Sequence, residues 1–488
     1  MHCRHHPACP GCPLLDRPYD AQLTIKRERL VAAFAAFGHL PPVPEVAPSP
    51  WTEGYRHRLK LPVQVSRDRV AVGLYDRTGK QVLDTPDCPV LTPSLREALG
   101  IVRGWLRGRD GVHSVDLRVS SSTGALQLVL ATVGAEIPGG PRALRDLRRR
   151  LPALVSIAVS RADPERRRVM GRSPRVVEGA ESIPERIGST GYNLTPGAFF
   201  QVDPRQASAL HERVARGVAG ARTVLDLYAG VGAYGRMLAP SCERVVMVEE
   251  VPQAAAAARL GAPRQATVLT GRVEDVAPEG PFDAVVLNPA RRGADLATLA
   301  RLGATAKRLV YVSCGPETLA RDLDVLAFHG LRVVSVEPVD LFPQTPEVET
   351  VVTLERGERV LSWPVRGGRA RGPWGGGPSG AEGRPTEVVA LVLGNTGLRG
   401  RAGRSTFTRE AVLAGHSLVR IRLAGPLSEA ISSFQASGHA VAGHDPRTAS
   451  FFAEKAGLVR PFVHVSRAGN VEAPLHGDLM LAKAALRA

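Results

Sequence analysis

Apolar residues recur along this chain with two periods, and each change of period marks a new part. From Gln22 to Phe37 the spacing is helical, which predicts an amphipathic helix. Residues 55–66 and 70–76 alternate apolar and polar and predict a hairpin. Helical spacing returns from Ser94 to Arg107, a second hairpin spans 113–132 around Ser120-Ser-Ser-Thr-Gly124, and 153–160 predicts a further strand. These elements describe an α+β module. Past residue 195 short apolar runs alternate with helical stretches. Strands are expected at 223–227, 244–249, 283–288 and 309–312, with a closing hairpin from Leu331–Val339 and Val348–Leu354 around Pro343-Gln-Thr-Pro346. That order predicts a doubly wound α/β sheet with an antiparallel edge strand. Glycine, proline and arginine then displace the periodic pattern, and Glu387–Val392 opens a small α+β C-terminal domain. The expected parts are 1–20, a cysteine-bearing segment; 21–194, the α+β domain; 195–357, the α/β domain; 358–385, a linker; and 386–488.

The strand ends of the α/β domain carry the candidate chemistry. Thr223-Val-Leu-Asp-Leu-Tyr-Ala-Gly-Val-Gly232 runs a strand into a Gly-x-Gly turn, where backbone can approach a ligand closely. Glu249 ends the next strand, where a carboxylate can accept from ribose hydroxyls. The fourth strand stops at Ser313-Cys-Gly-Pro316. Pro316 suits a first helical turn, so the Cys314 thiol is expected near unpaired N–H groups and the positive end of a helix dipole, which favour thiolate. This is a position for a nucleophile.

Composition narrows the partner. The 488 residues suffice for two or three cores, and the net charge of +16 asks for a polyanion, with nucleic acid first. Eleven arginines lie in 141–176 against Asp146, Asp163 and Glu165, which marks that stretch as a phosphate-contacting face. No run of roughly 18 apolar residues occurs and the N-terminus lacks an export pattern. The expectation is a cytoplasmic monomer without a membrane partner.

Cys3, Cys9 and Cys12 form C-x5-C-x2-C, and Cys88 follows at a distance. Soft thiolates at this spacing suit either an iron–sulfur cluster or zinc, with His5 or His6 available to complete a zinc site.

Five stretches together resemble one family: Asp-Leu-Tyr-Ala-Gly-Val-Gly, Val-Glu-Glu, Leu-Asn-Pro-Ala-Arg, Tyr-Val-Ser-Cys-Gly-Pro-Glu-Thr-Leu-Ala-Arg-Asp-Leu and Asp-Leu-Phe-Pro-Gln-Thr-Pro-Glu-Val-Glu-Thr. They are similar to the S-adenosylmethionine-dependent RNA 5-methyluridine methyltransferases, as is Thr195-Pro-Gly-Ala-Phe-Phe-Gln201. The resemblance covers residues 1 to about 357. It implies a Rossmann-like methyltransferase sheet and S-adenosylmethionine held by Gln201, Asp226, Tyr228, Gly230, Glu249 and Asn288. It implies Cys314 as the thiolate that adds to uracil C6 and Glu349 as the base that removes H5. Glu347 is the rival base by position. It also implies a [4Fe-4S] cluster on Cys3, Cys9, Cys12 and Cys88. The family's N-terminal RNA-binding barrel is missing, which favours 23S rRNA over tRNA as substrate.

Departures keep other readings open. Ala233 stands where the family usually has Asn, Asn288 where it has Asp, and Gln344 and Glu347 replace frequent histidines. Ala233 and Asn288 admit an RNA-binding protein with a retired site, and Asn288-Pro289 admits an amine-directed methyltransferase. In the C-terminal part, Gly415–Leu423, Phe434–Arg447 and Glu472–Asp478 resemble the second half of RluA-type pseudouridine synthases. The catalytic aspartate motif of that family is absent, so a remnant RNA-binding half is expected rather than an isomerase.

Overall fold

The alternating runs of the first domain fold as a six-stranded mixed sheet. The computed structural model describes all residues except 36, 38–39, 67–68, 135–136, 138, 163–171, 359–364, 367–368, 371–384, 426, 443–451, 453–461, 469–470, 473–474, 476 and 488. Helix α1 (Tyr19–Ala35) comes first, followed by β1 (Arg58–Val65), β2 (Val70–Val72), α2 (Pro93–Trp105), β3 (Val112–Val119), β4 (Leu126–Thr132), α3 (Gly140–Arg150), β5 (Leu154–Arg161) and β6 (Arg172–Gly179). The strand order is β2-β1-β3-β4-β5-β6, antiparallel throughout except for β4 beside β5. Leu95, Leu99, Val102 and Trp105 of α2 and Leu144 and Leu147 of α3 pack on Leu117, Leu128, Leu130 and Ile157. Each such side chain stabilises the fold by ~1.5–3 kcal/mol. Thr92 caps α2 by accepting from Leu95 N–H, and Pro93 starts its first turn.

A short hairpin, β7 (Ile183–Ile187) and β8 (Thr190–Leu194), leads to α4 (Pro204–Gly217). The methyltransferase-like pattern then folds as β9 (Thr223–Leu227), α5 (Gly235–Leu238), β10 (Arg244–Glu249), α6 (Pro252–Arg259), β11 (Ala266–Thr270), α7 (Val273–Val276), β12 (Ala284–Leu287), α8 (Leu296–Thr305), β13 (Arg308–Ser313), α9 (Pro316–Phe328), β14 (Leu331–Val339) and β15 (Glu349–Arg356). Strands β11-β10-β9-β12 are neighbours in that order and all parallel. The order reverses at β9, so a crevice opens beyond the carboxyl ends of β9 and β12, where α/β sheets bind ligands. β13, β15 and β14 follow one another in the sheet. The chain has a mixed α/β fold with a Rossmann-like methyltransferase core, as expected.

The C-terminal part contains β16 (Val365–Arg366), β17 (Arg369–Ala370), β18 (Pro385–Val392), β19 (Arg399–Ala402), β20 (Ser405–Leu413), β21 (His416–Arg422), α10 (Leu427–Ala436), β22 (Val463–Ala468), β23 (Val471–Glu472) and α11 (Gly477–Ala485). Six of its strands form an antiparallel sheet, β19-β20-β21-β18-β22-β23. Of the expected linker 358–385, only 358, 365–366, 369–370 and 385 are described. Residues 443–447 and 473, 474 and 476 of the pseudouridine-synthase-like stretches lie outside the described residues, as do 163–171 of the arginine cluster.

The chain forms two compact units. One comprises 1–26, 45–288 and 337–351; the other comprises 27–44, 289–336 and 352–488. Among the described residues no helix is long and apolar enough to cross a membrane.

Candidate active site

In the first unit the turn after β9 is built around backbone conformations that few side chains tolerate. Tyr228 has φ 59°, Gly230 φ 60° and Gly232 φ 80°. A Cβ at Gly230 would meet nothing within 4 Å, so its backbone is open to a ligand. Glu249, at the end of β10, holds this turn. Its Oε2 accepts from Gly230 N–H and its Oε1 from Val251 N–H, each at 2.8 Å. A carboxylate has about four acceptor sites, so two remain after these bonds. Burial raises the Glu249 carboxyl above its ordinary range, and the N–H groups of Val251, Gly230 and Glu250 oppose that.

Asp226 is fully buried in β9. Its Oδ2 accepts from Gly235 N–H at 2.7 Å, while Oδ1 is buried without a partner. Burial pushes its pKa up to about 7, against the Gly235 bond and together with the charge of Glu249. An orphan buried acceptor, a carboxylate with spare lone pairs and an unobstructed glycine fit the hydroxyl and ammonium groups of S-adenosylmethionine.

Gln201 follows a residue packed against this turn. Its neighbour Phe200 is buried in a cluster with Val231 of the turn and Tyr192, whose ring lies 5.3 Å from that of Phe200. Tyr192 also donates to Ala233 O at 2.7 Å. Asn288 follows β12, and its N–H donates to Leu227 O at 3.3 Å. Glu349 starts β15 and is buried. Tyr234 links it to the turn: burial drives this phenol well above its ordinary range, and the charges of Glu349 and Asp226 add to the effect.

The loop before Glu349 is pinned by the N-terminal segment. Lys26 Nζ donates to Asp340 Oδ1, Phe342 O and Glu347 O at 2.6, 3.0 and 2.8 Å. Gln22 and Gln344 exchange two bonds of 2.8 Å, and Tyr55 donates to Pro343 O. No local pattern signals this anchoring, because Lys26 lies on a helix that reads as amphipathic.

A second group also escaped the sequence reading. Arg58 Nε donates to Asp116 Oδ1 at 2.8 Å, and Arg58 and Arg118 both donate to Ala198 O. Lys60 stands 3.9 Å from Asp116. Burial and the Arg58 charge lower Lys60 to about 8 and Arg118 to about 9, although Asp116 opposes both shifts. Three cations thus share one carboxylate beside Phe199, a phenyl 65% exposed. The signal was present as charged residues at alternating positions within the apolar runs of β1 and β3.

The four N-terminal thiols also fall in the first unit. Among the described residues no group of three or more ligating side chains forms a ready metal site. The thiols nevertheless sense one another. Burial, then the charges of Cys88 and Cys9, push Cys12 up to about 12, and Cys88 is raised by burial, Cys9 and Cys3. His5 turns its Nε2 to Asp87 at 2.8 Å instead. Burial raises Cys9 as well, and Cys3 adds to that shift.

Cys314 belongs to the second unit, at the step from β13 to α9, with Gly315 as N-cap and Pro316 as the first helical residue. Asp322 organises the surrounding backbone: it accepts from Tyr311 Oη at 2.6 Å and from Ala294 N–H at 3.0 Å. Thr318 Oγ1 donates to Arg291 O at 3.0 Å, which holds the 290–294 loop at the start of α9. In the arginine cluster, Arg148 pairs with Glu178, and Arg149 and Arg150 pair with Asp146.

Comparison with known proteins matches this architecture. The family described as tRNA (Uracil-5-)-methyltransferase matches residues 271–357. An uncharacterized RNA methyltransferase of Gloeobacter violaceus is 33% identical over 369 residues, which cover 71% of this chain and 81% of the relative. One from Geobacter sulfurreducens is 31% identical and covers 72% and 76%. The solved tRNA (uracil-54, C5)-methyltransferase of Pyrococcus abyssi in complex with S-adenosyl-L-homocysteine superposes with a TM-score of 0.59 at 27% identity, covering 71% of this chain and 86% of that one. The chain belongs to the RNA methyltransferase family and is an S-adenosylmethionine-dependent enzyme.

Proposed function

We propose that the protein methylates C5 of a uridine in RNA, with Cys314 as nucleophile and Glu349 as base. The observation that carries this reading is the gathering, in one unit, of the open glycine turn, Glu249 and the buried Glu349, with Tyr234 sensing both Glu349 and Asp226. Gln201, Asp226, Tyr228, Gly230, Glu249 and Asn288 would hold S-adenosylmethionine, which when bound supplies an electrophilic methyl. Uracil C5 is a weak nucleophile. The Cys314 thiolate forms a bond to C6, and the C5=C6 π electrons move onto the C4 carbonyl as an enolate, which makes C5 reactive. Once C5 carries the methyl, Glu349 takes H5, the C5=C6 bond re-forms and the Cys314–C6 bond breaks, returning the thiolate.

The net charge of +16 supports a polyanionic substrate. We favour 23S rRNA, because the C-terminal part carries stretches that resemble an RNA-modification enzyme. The likeness to the tRNA (Uracil-5-)-methyltransferase family and to the Pyrococcus abyssi tRNA methyltransferase favours tRNA as the second reading. A [4Fe-4S] cluster on Cys3, Cys9, Cys12 and Cys88 belongs to the same proposal, supported by the C-x5-C-x2-C spacing and the family resemblance.

RNA containing 5-fluorouridine tests the chemistry, because fluorine at C5 leaves no proton for Glu349 to remove. The adduct should persist with the wild type and be absent with Cys314→Ala. An adduct that survives Cys314→Ala would refute the assignment.

A further inference from the structure

Side chains alternate across a strand, so the registers of the C-terminal sheet fix which residues share a face. Two adjacent cross-strand rows stand out. One runs Arg399, Thr408, Arg420, Val389, His464; the next runs Arg401, Thr406, Arg422, Glu387, Arg467. At one end of this face Leu391, Leu413 and Leu418 are covered by Leu479, Ala482 and Leu486 of the α11 region. The opposite face is covered by α10 through Leu427, Ala430 and Phe434. Val389 and His464 in the first row are buried, whereas Arg399, Arg401 and Arg467 are exposed and the Arg422 side chain is 83% exposed.

Five guanidiniums on this open area face two carboxylates. Arg420 is bonded to Glu387 and Glu410, and Arg422 lies 3.7 Å from Glu387. Arg399 and Arg401 form no ion pair among the described residues. The arginines stand on β19, β21 and β22, with threonines of β20 between the first two pairs. Strands lie about 4.8 Å apart, so the basic track is roughly 19 Å long. Its occupant must be an extended polyanion that accepts hydrogen bonds from guanidiniums and hydroxyls.

We propose that this open sheet face binds RNA, with Arg399, Arg401 and Arg422 contacting backbone phosphates. The surface goes beyond the uracil chemistry, and its test reads binding alone, so it stands or falls apart from the roles given to Cys314 and Glu349. In the full-length protein, Arg399→Glu, Arg401→Glu and Arg422→Glu are combined and binding to a uridine-rich single-stranded RNA is titrated at several salt concentrations. Affinity should fall about tenfold or more, and the slope of log K against log salt should become shallower by about two, at roughly 0.7 per lost phosphate contact. The matching triple lysine variant keeps the charge and should retain most of the affinity, while both variants bind S-adenosylmethionine as the wild type does. Unchanged affinity and slope in the glutamate variant would overturn the proposal. An equal loss in the lysine variant would overturn it too, because it would place the effect in packing rather than in phosphate contact.

Discussion

Lys26 and Asp340 meet at 2.6 Å with both side chains fully buried, so a residue of the first helix sets the loop that leads to Glu349. Burial lowers the Lys26 ammonium and Asp340 opposes the shift. Removing one partner of such a pair leaves an uncompensated buried charge, which costs about 3–5 kcal/mol. Lys26→Met should lower the unfolding free energy by that amount, read as a lower urea midpoint, and cut methyl transfer, since Phe342 O and Glu347 O lose their donor as well. An unchanged midpoint would show that the loop is held by Gln22 and Tyr55 alone.

Glu249 combines two backbone bonds with spare acceptor capacity at the glycine turn. Glu249→Ala frees the Gly230 and Val251 N–H groups and removes any bond to cofactor hydroxyls. S-adenosylmethionine affinity measured by calorimetry should fall by at least about tenfold, at ~1.4 kcal/mol or more. Glu249→Gln keeps one acceptor oxygen and should fall between the two.

His211 is buried against the rings of Tyr192 and Tyr234, and burial alone pushes its pKa down to about 4 from 6.5. The folded state therefore binds fewer protons than the unfolded state between these values. The stability His211 allows is fully present above about 6.5 and is lost as pH falls toward 4, by about 3 kcal/mol in total. Asp226 acts with the opposite sign, its raised pKa making stability fall as pH rises toward about 7. Comparison with His211→Phe isolates the histidine: the stability difference between wild type and variant should change by about 3 kcal/mol across that window. A pH-independent difference would show that the folded imidazole binds protons as the unfolded one does, contrary to its burial.

For the N-terminal thiols, protein purified without oxygen should be brown and contain iron and acid-labile sulfide. Cys12→Ser should lose both, because Cys12 feels three other thiols. Colourless protein with bound zinc would contradict the cluster.

Much of this was legible because buried strands and glycine turns write themselves plainly in sequence. The strands ending at Asp226-Leu227, Glu249 and Ser313 fall where their apolar runs stop. Helix α3 was not read, since Ala143, Leu144 and Leu147 form a narrow buried stripe among five arginines, and charge hid the period. β6 was missed for a related reason: it carries Pro174 and arginines, and it lies at the edge of its sheet, where both are tolerated. The Arg58–Asp116–Arg118 cluster and the Lys26 anchor depend on residues 58 and 314 positions apart, so no local pattern could reveal them.

The central claim is that Cys314 drives formation of 5-methyluridine. RNA from cells lacking the protein should be incubated with S-adenosylmethionine and either wild type or Cys314→Ala, separated into ribosomal and transfer fractions, and its nucleosides measured by mass spectrometry. The account predicts new 5-methyluridine with the wild type only, in the ribosomal fraction. Equal 5-methyluridine with Cys314→Ala, or a methylated amine in its place, would contradict it.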